Sequence, residues 1–411
     1  MKVPEKWRKK TIDNLFVFTN GTGFKASDWS KEGLPIIRIQ NMNGSSEYNY
    51  YNGQIEEKWL VNPGQLLFAW AGTRGVSFGP HIWKGPKGVL NQHIYKLEPK
   101  IDGDRRWLYY ALIKVTDTIE RKAHGFKSTL LHVQKSDITN QVVVVPPLPE
   151  QKAIADLLST WDEAIEKTER LIQAREKRLR QMSRWLLFGH KRLENKQNEL
   201  VDGHFFRYPS DWELVKIGKV AKEVSLRNGE SEKPVLSCSK YDGFVNSLDY
   251  FGKQVFSSDT SNYKVIKKGQ FGYPSNHVEE GSIGLLEHCE IGIVSPIYVV
   301  FEATKDKVYS PYLFKLLKTD IYRHIFQVST SSSVDRRGSL RWSDFSKIKV
   351  LLPPPHEQKQ ITETLSAAQH EIGLLKQLAE KYKTQKRGLM QKMLTGEWRV
   401  KEEIISQYCE A

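Results

Sequence analysis

The chain is poor in cysteine and has no long hydrophobic run. Only Cys238, Cys289 and Cys409 occur, odd in number and widely spaced. They allow neither a disulfide framework nor a paired-cysteine zinc site, so a reducing compartment is the expected setting. No uncharged apolar stretch is long enough to cross a bilayer, and Met1 to Arg8 runs straight into charge without the apolar core of a signal peptide. The expectation is a soluble cytoplasmic protein with no membrane contact. Catalytic signatures are also missing: there is no P-loop, and no Asn-Pro-Pro-Tyr-like tetrapeptide of an amino-methyltransferase. Asn20-Gly21-Thr22-Gly23 lacks the strand and helix that would make it a dinucleotide or AdoMet loop. His277, His288 and Cys289 lack the paired spacing of metal ligands. No catalytic, cofactor or metal residue is expected.

What is present is positive charge and a repeat. The formal net charge is +14 over 411 residues, and 27% of residues are charged. A polyanion, most simply nucleic acid, is the partner this balance favours. Pro146-Pro147-Leu148-Pro149-Glu150-Gln151-Lys152 recurs 207 residues later as Pro353-Pro354-Pro355-His356-Glu357-Gln358-Lys359. The match extends back to Ser136-Asp137 with Ser343-Asp344, and forward to Leu187–Leu193 with Leu394–Val400. Pro4-Glu5-Lys6-Trp7 is echoed by Pro209-Ser210-Asp211-Trp212, and Pro63-Gly64-Gln65-Leu66 by Lys268-Gly269-Gln270-Phe271. A period of half the chain means two copies of one unit.

Each copy reads as an α+β domain followed by a long helix. Short strand-like runs, Leu34–Ile39 and Gln65–Trp70, alternate with Asn/Gly/Pro turns, a helix opens at Trp107, and Gln141–Val145 closes the first domain. Glu150 suits the positive end of a helix starting there, and Gly189 suits its C-terminal cap. The Glu-x-Lys pattern resembles half of a nuclease site, but its place at a helix start favours the first-turn role. Ile154, Leu158, Trp161, Ile165, Thr168, Ile172, Arg175, Leu179, Met182 and Leu186 alternate four and three apart, as do Ile361, Leu365, Ala368, Ile372, Leu375, Ala379 and Tyr382. These are coiled-coil seams, interrupted by Thr168, Arg175 and Lys386. The segments are expected at 1–149 (first domain), 150–190 (helix), 191–208 (connector), 209–355 (second domain), 356–395 (helix) and 396–411 (tail). A helix pair is expected, antiparallel if a pseudo-twofold axis relates the two copies; the seams alone also allow a parallel pair.

Between their shared anchors the two domains barely agree. Reading residues are therefore sought where Arg, Lys, Asn or Gln sits in a turn beside aromatics. In the first domain these are Arg38, Gln40, Asn41, Trp70, Thr73, Arg74, Asn91, Gln92, His93, Lys127 and Ser128. In the second they are Ser237, Ser239, Lys240, Ser275, Asn276, His277, Thr330, Ser331, Arg336 and Arg337. The stretch Glu166–Arg192 adds nine basic residues against three acidic ones.

The doubled Val144-Val145-Pro146-Pro147-Leu148-Pro149-Glu150-Gln151-Lys152 pattern, its partner at Leu351–Lys359, and the closing Leu394-Thr395-Gly396 resemble the DNA-specificity (S) subunit of type I restriction–modification systems. The resemblance implies two target-recognition domains, each reading one half of a bipartite asymmetric site on double-stranded DNA. It implies helices that set the spacing between the halves and a chain without activity of its own. Two methyltransferase (M) subunits would dock on it, and restriction (R) subunits through them, with AdoMet, ATP and Mg bound by those partners. A self-contained methyltransferase or nuclease carrying a DNA-recognition domain is the alternative, and an oligomerising scaffold is a third reading.

Overall fold

A computed structural model describes residues 3–122, 130–194, 199–240, 243–330 and 338–409. The chain forms two compact units: residues 1–170 with 376–411, and residues 171–375. The fold is mixed helix and strand, with two α+β domains and two long helices.

In the first unit a four-stranded antiparallel sheet runs in the order Phe16–Asn20, Ile94–Pro99, Leu66–Ala69, Gly79–Ile82. The helix Arg105–Lys122 carries Trp107, Leu108, Leu112 and Val115 into the same core as Phe16, Phe68 and Leu97. A second small sheet pairs Leu34–Ile37 in parallel with Gly88–Leu90, and Ile37, Val61, Leu67, Trp83 and Leu90 pack under it. Arg8–Thr11 pairs with Val142–Val145, and the prolines that follow end the ladder because they carry no N–H.

The second unit repeats the plan. Its sheet order is Ala221–Val224, Tyr298–Ala303, Phe271–Pro274, Gly284–Leu285, and Glu213–Lys216 pairs with Lys349–Leu352 as Arg8–Thr11 does with Val142–Val145. Its core also holds many aromatics: Phe271, Phe301, Tyr312, Tyr322, Phe326 and Phe345 are all buried.

The long helices run Leu148–Leu187 and Pro355–Met393, 40 and 39 residues, with no proline beyond the first turn. In the first unit Asp162 meets Lys386 and Glu169 meets Lys383, so the two helices run antiparallel there. In the second unit Arg175 meets Glu371, while Leu179 and Met182 pack on the core that holds Ile361 and Leu365; the direction is again antiparallel. The polar interruptions of the seams are thereby placed. Arg175 and Lys386 pair with acids on the facing helix, and the Thr168 hydroxyl returns to the Ala164 carbonyl.

The repeated motif forms the same lock in each unit. Glu150 is buried, accepts from Trp7 Nε1 at 2.9 Å, and pairs with Arg399 at 2.6 and 2.8 Å. Glu357 is likewise buried, accepts from Trp212 Nε1 at 3.2 Å, and pairs with Arg192 at 2.5 and 2.7 Å. The glutamine that follows ties the prolines to the domain. Gln151 donates to the Pro146 carbonyl and accepts from the Asp104 N–H, as Gln358 does with Pro353 and Tyr309. The first-turn role expected for Glu150 is thus joined by a buried ion pair whose cation lies far away in sequence.

Each arginine is delivered by the cap of a long helix. Gly189 and Gly396 adopt φ +68° and +72°, the left-handed cap that glycine takes at least cost. A Cβ on Gly189 would fall 2.3 Å from Pro209 Cγ, and one on Gly396 2.4 Å from Pro4 Cγ. The two capping turns therefore sit against the prolines beside Trp212 and Trp7.

Candidate nucleic-acid interface

In the first unit, backbone hydrogen bonds gather five segments onto one edge of the domain. Gly21 N–H reaches Ile94 O, Gln92 N–H reaches Thr22 O, Asn91 N–H reaches Ile37 O, Trp70 N–H reaches His93 O, and Val133 N–H reaches Trp70 O. Gly21 is needed here, since a Cβ would overlap the Asn91 carbonyl oxygen at 1.9 Å. Arg38, Trp70, Asn91, Gln92 and His93 are thus neighbours, although 55 residues separate the first from the last.

Three polar atoms of this edge stand out. Among the described residues, Arg38 Nε, Asn91 Oδ1 and His93 Nδ1 are buried without a hydrogen-bond partner. Such atoms cost about 1–3 kcal/mol each when unsatisfied, and folded proteins retain few of them. The Arg38 guanidinium lies 5.4 Å from the centre of the Trp29 ring, and Gln92 is exposed. His93 has φ +73°, a conformation uncommon for a residue with a side chain.

Other expected positions have different duties. Asn41 is 5% exposed and holds its own turn: its Oδ1 accepts from Arg38 N–H, and its Nδ2 donates to the Ser45 and Glu47 carbonyls. Asn41, expected among the reading positions, thus builds the turn that carries Arg38. Gln40 is exposed, and its side chain donates to the Glu47 carbonyl at 3.4 Å. Thr73 is exposed on the strand Ala71–Thr73, its N–H bound to Ser77 Oγ. Arg74 contacts the Glu120 carbonyl at the end of the domain helix. Lys127 and Ser128 lie outside the described residues.

The second unit builds the matching edge with other side chains. Ser275 N–H reaches Ile297 O and Leu340 N–H reaches Ser275 O, the counterparts of the Trp70 bonds. Trp70 is thus replaced by a buried serine. Lys318 Nζ binds the carbonyls of Lys240 and Gly281, and so ties Lys240 to the end of the turn that opens at His277. His277 is exposed with Nδ1 3.2 Å from Glu280 Oε1. With Glu279 these offer three grouped ligand atoms, in a surface turn. Ser237 pairs with Ser247, Ser239 lies 3.5 Å from the Tyr250 hydroxyl, and Thr330 caps the helix Asp320–Ser329 by donating to Phe326 O. Ser331, Arg336 and Arg337 lie outside the described residues.

Sequence reasoning missed Asn20 and His132. Asn20 accepts the Trp70 indole N–H at 3.1 Å, and the His132 ring lies 4.8 Å from that of Trp70. His132 arrives there through a three-residue pairing of Leu130–His132 with Ala71–Thr73, too short to leave a periodic signal.

Among the described residues no helix is long and apolar enough to cross a membrane. The chain is 27% identical to the type I restriction enzyme MjaVIII specificity subunit of Methanocaldococcus jannaschii, over 98% of this chain and 95% of that protein. It is 30% identical to the type I restriction enzyme EcoBI specificity subunit of Escherichia coli over 172 residues, 41% of this chain and 35% of that one. In fold it resembles the crystal structure of the type I restriction-modification system S subunit from M. genitalium, with a TM-score of 0.52 at 19% identity, covering 96% of this chain and 98% of that one. The model of the type I restriction modification DNA specificity domain matches twice, over residues 4–175 and 209–383, and the chain belongs to that family.

Proposed function

We propose that this chain is the DNA-reading subunit of a type I restriction–modification complex, each domain reading one half of a bipartite asymmetric site. The carrying observation is the contrast within the repeat. Trp7, Glu150, Arg399 and Gln151 are reproduced role for role by Trp212, Glu357, Arg192 and Gln358, whereas the edge holding Trp70, Asn91 and His93 becomes one holding Ser275 and Ile297. A constant frame with divergent edges suits two readers of different sequences. Arg38, Gln92 and His93, with Trp70 as an apolar wall, are the reading groups of the first domain; Lys240, Asn276 and His277 are those of the second. Base edges would be read in the major groove, and the net charge of +14 would supply the phosphate attraction.

The long helices set the distance between half-sites in this reading. A 40-residue helix measures about 60 Å, and two weak contacts joined rigidly reinforce each other only at the matching spacing. Chemistry belongs to partners: two methyltransferase subunits that use AdoMet, and restriction subunits that use ATP and Mg. The setting is the cytoplasm.

The test is a genome-wide map of methylated adenine in the host, with and without this gene. A split motif that vanishes on deletion supports the reading. A map unchanged by deletion, in cells where this chain co-purifies with an active methyltransferase, overturns it.

A further inference from the structure

The rings of Trp70, His93 and His132 form a triangle, with centroids 4.8, 4.8 and 6.1 Å apart. Tyr95 stacks on the indole at 5.9 Å and an interplanar angle of 28°. The one side-chain donor of Trp70, its indole N–H, is already bound to Asn20 Oδ1. Trp70 therefore offers its partner a flat apolar face and no hydrogen bond. Donors at this spot must come from the two imidazoles. His93 is held in a left-handed backbone conformation; its Nδ1 is buried with no partner, so the ring nitrogen it can offer to a base is Nε2. His132 is exposed at the end of its short strand. Backbone strain and an unsatisfied nitrogen at one residue mark a position kept for a ligand rather than for stability.

We propose that His93 and His132, packed on Trp70, read the N7 edge of one purine in the half-site of the first domain. An imidazole N–H can donate to purine N7, and a second one beside it can donate to O6 of guanine, both in the major groove. The indole face beside them excludes water from these bonds. The inference rests on the DNA-reading function proposed above. It adds His132, which nothing in the local sequence marks, to the residues that determine specificity.

The test is selection from a randomised duplex library by the full chain in complex with its methyltransferase partner. The variants are His132→Ala and His93→Asn. His132 is exposed, and asparagine tolerates a positive φ, so both variants keep the fold; unchanged thermal unfolding checks this. The expected result is loss of ~10- to 100-fold of base preference at one purine of one half-site, the other half-site being unchanged. Two results overturn the proposal: both half-sites unchanged, or a uniform fall in affinity across all sequences, which would mark phosphate contact. A wild-type complex that selects no split motif overturns the underlying function, and the failure is then not specific to the histidines.

Discussion

At the residue scale the buried carboxylates Glu150 and Glu357 decide the most. Each is stable only with its arginine, because an uncompensated charge in the interior is far more costly than a lost contact. Side chains of Arg192 and Glu357 are 3% and 5% exposed, whereas Arg399 is 37% exposed above Glu150. Arg192→Met is therefore expected to destabilise by about 3–5 kcal/mol, and Arg399→Met by clearly less, in denaturant unfolding of the full chain. Equal losses would show that exposure does not grade the two locks. Lys114 adds a pH signature. Burial, helped by the nearby Arg121, pushes its ammonium down to about 8 while Nζ donates to the Leu394 carbonyl. Since the unfolded chain holds this proton up to about 10.4, folding carries a penalty below pH 8 that is relieved as pH rises through that window. The wild type should gain thermal stability relative to Lys114→Met between pH 8 and 10. A constant difference across that range would contradict the assignment.

At the element scale the helices and their caps respond oppositely to the same substitution. Gly373 and Gly388 lie inside the second long helix, and an added Cβ meets nothing within 4 Å. Gly373→Ala and Gly388→Ala should each stabilise by about 0.5–1 kcal/mol. Gly396→Ala should destabilise by at least about 1 kcal/mol, since it meets both a left-handed backbone and Pro4. Melting temperatures of the three variants separate the cases. Removing one heptad from each helix shortens both by about 10 Å. In the proposed function the gap between half-sites then shrinks by about three base pairs at 3.4 Å per step, with both half-site sequences kept. An altered half-site with an unaltered gap would refute the role of the helices. The helices were also the most legible elements in the sequence, because Ile154, Leu158 and Ile361, Leu365 keep a strict period over many turns. The locks were half legible: Glu150 and Glu357 stand in a visible motif, but Arg399 and Arg192 are connected to them only through the folded caps. The candidate edge was legible in part. Trp70 and His93 sit in evident turns, Asn41 looks the same in sequence yet is buried, and His132 is brought in by a pairing of three residues.

At the scale of the whole molecule the repeat separates a constant frame from divergent edges. Strand orders, the paired edge strands and the Trp–Glu–Arg–Gln locks are common to both units, so a domain can be exchanged where the frame is kept. Replacing residues 1–145 with the corresponding domain of another family member should change one half-site in the methylation map and leave the other intact. Changes in both halves would mean that the domains do not read independently.

The lock on Glu150 also sets an order of events during synthesis. Glu357 meets an arginine made 165 residues earlier, but Glu150 must wait for Arg399, made 249 residues later. At ~5–20 residues per second that delay is roughly 12–50 s. The second unit can close as its last residues leave the ribosome. The first unit spends that interval with its carboxylate hydrated and with Ile154, Ala155 and Leu158 lacking the Met390 and Met393 that later share their core. The nascent first domain is thus the part of this chain most exposed to chaperones and proteases.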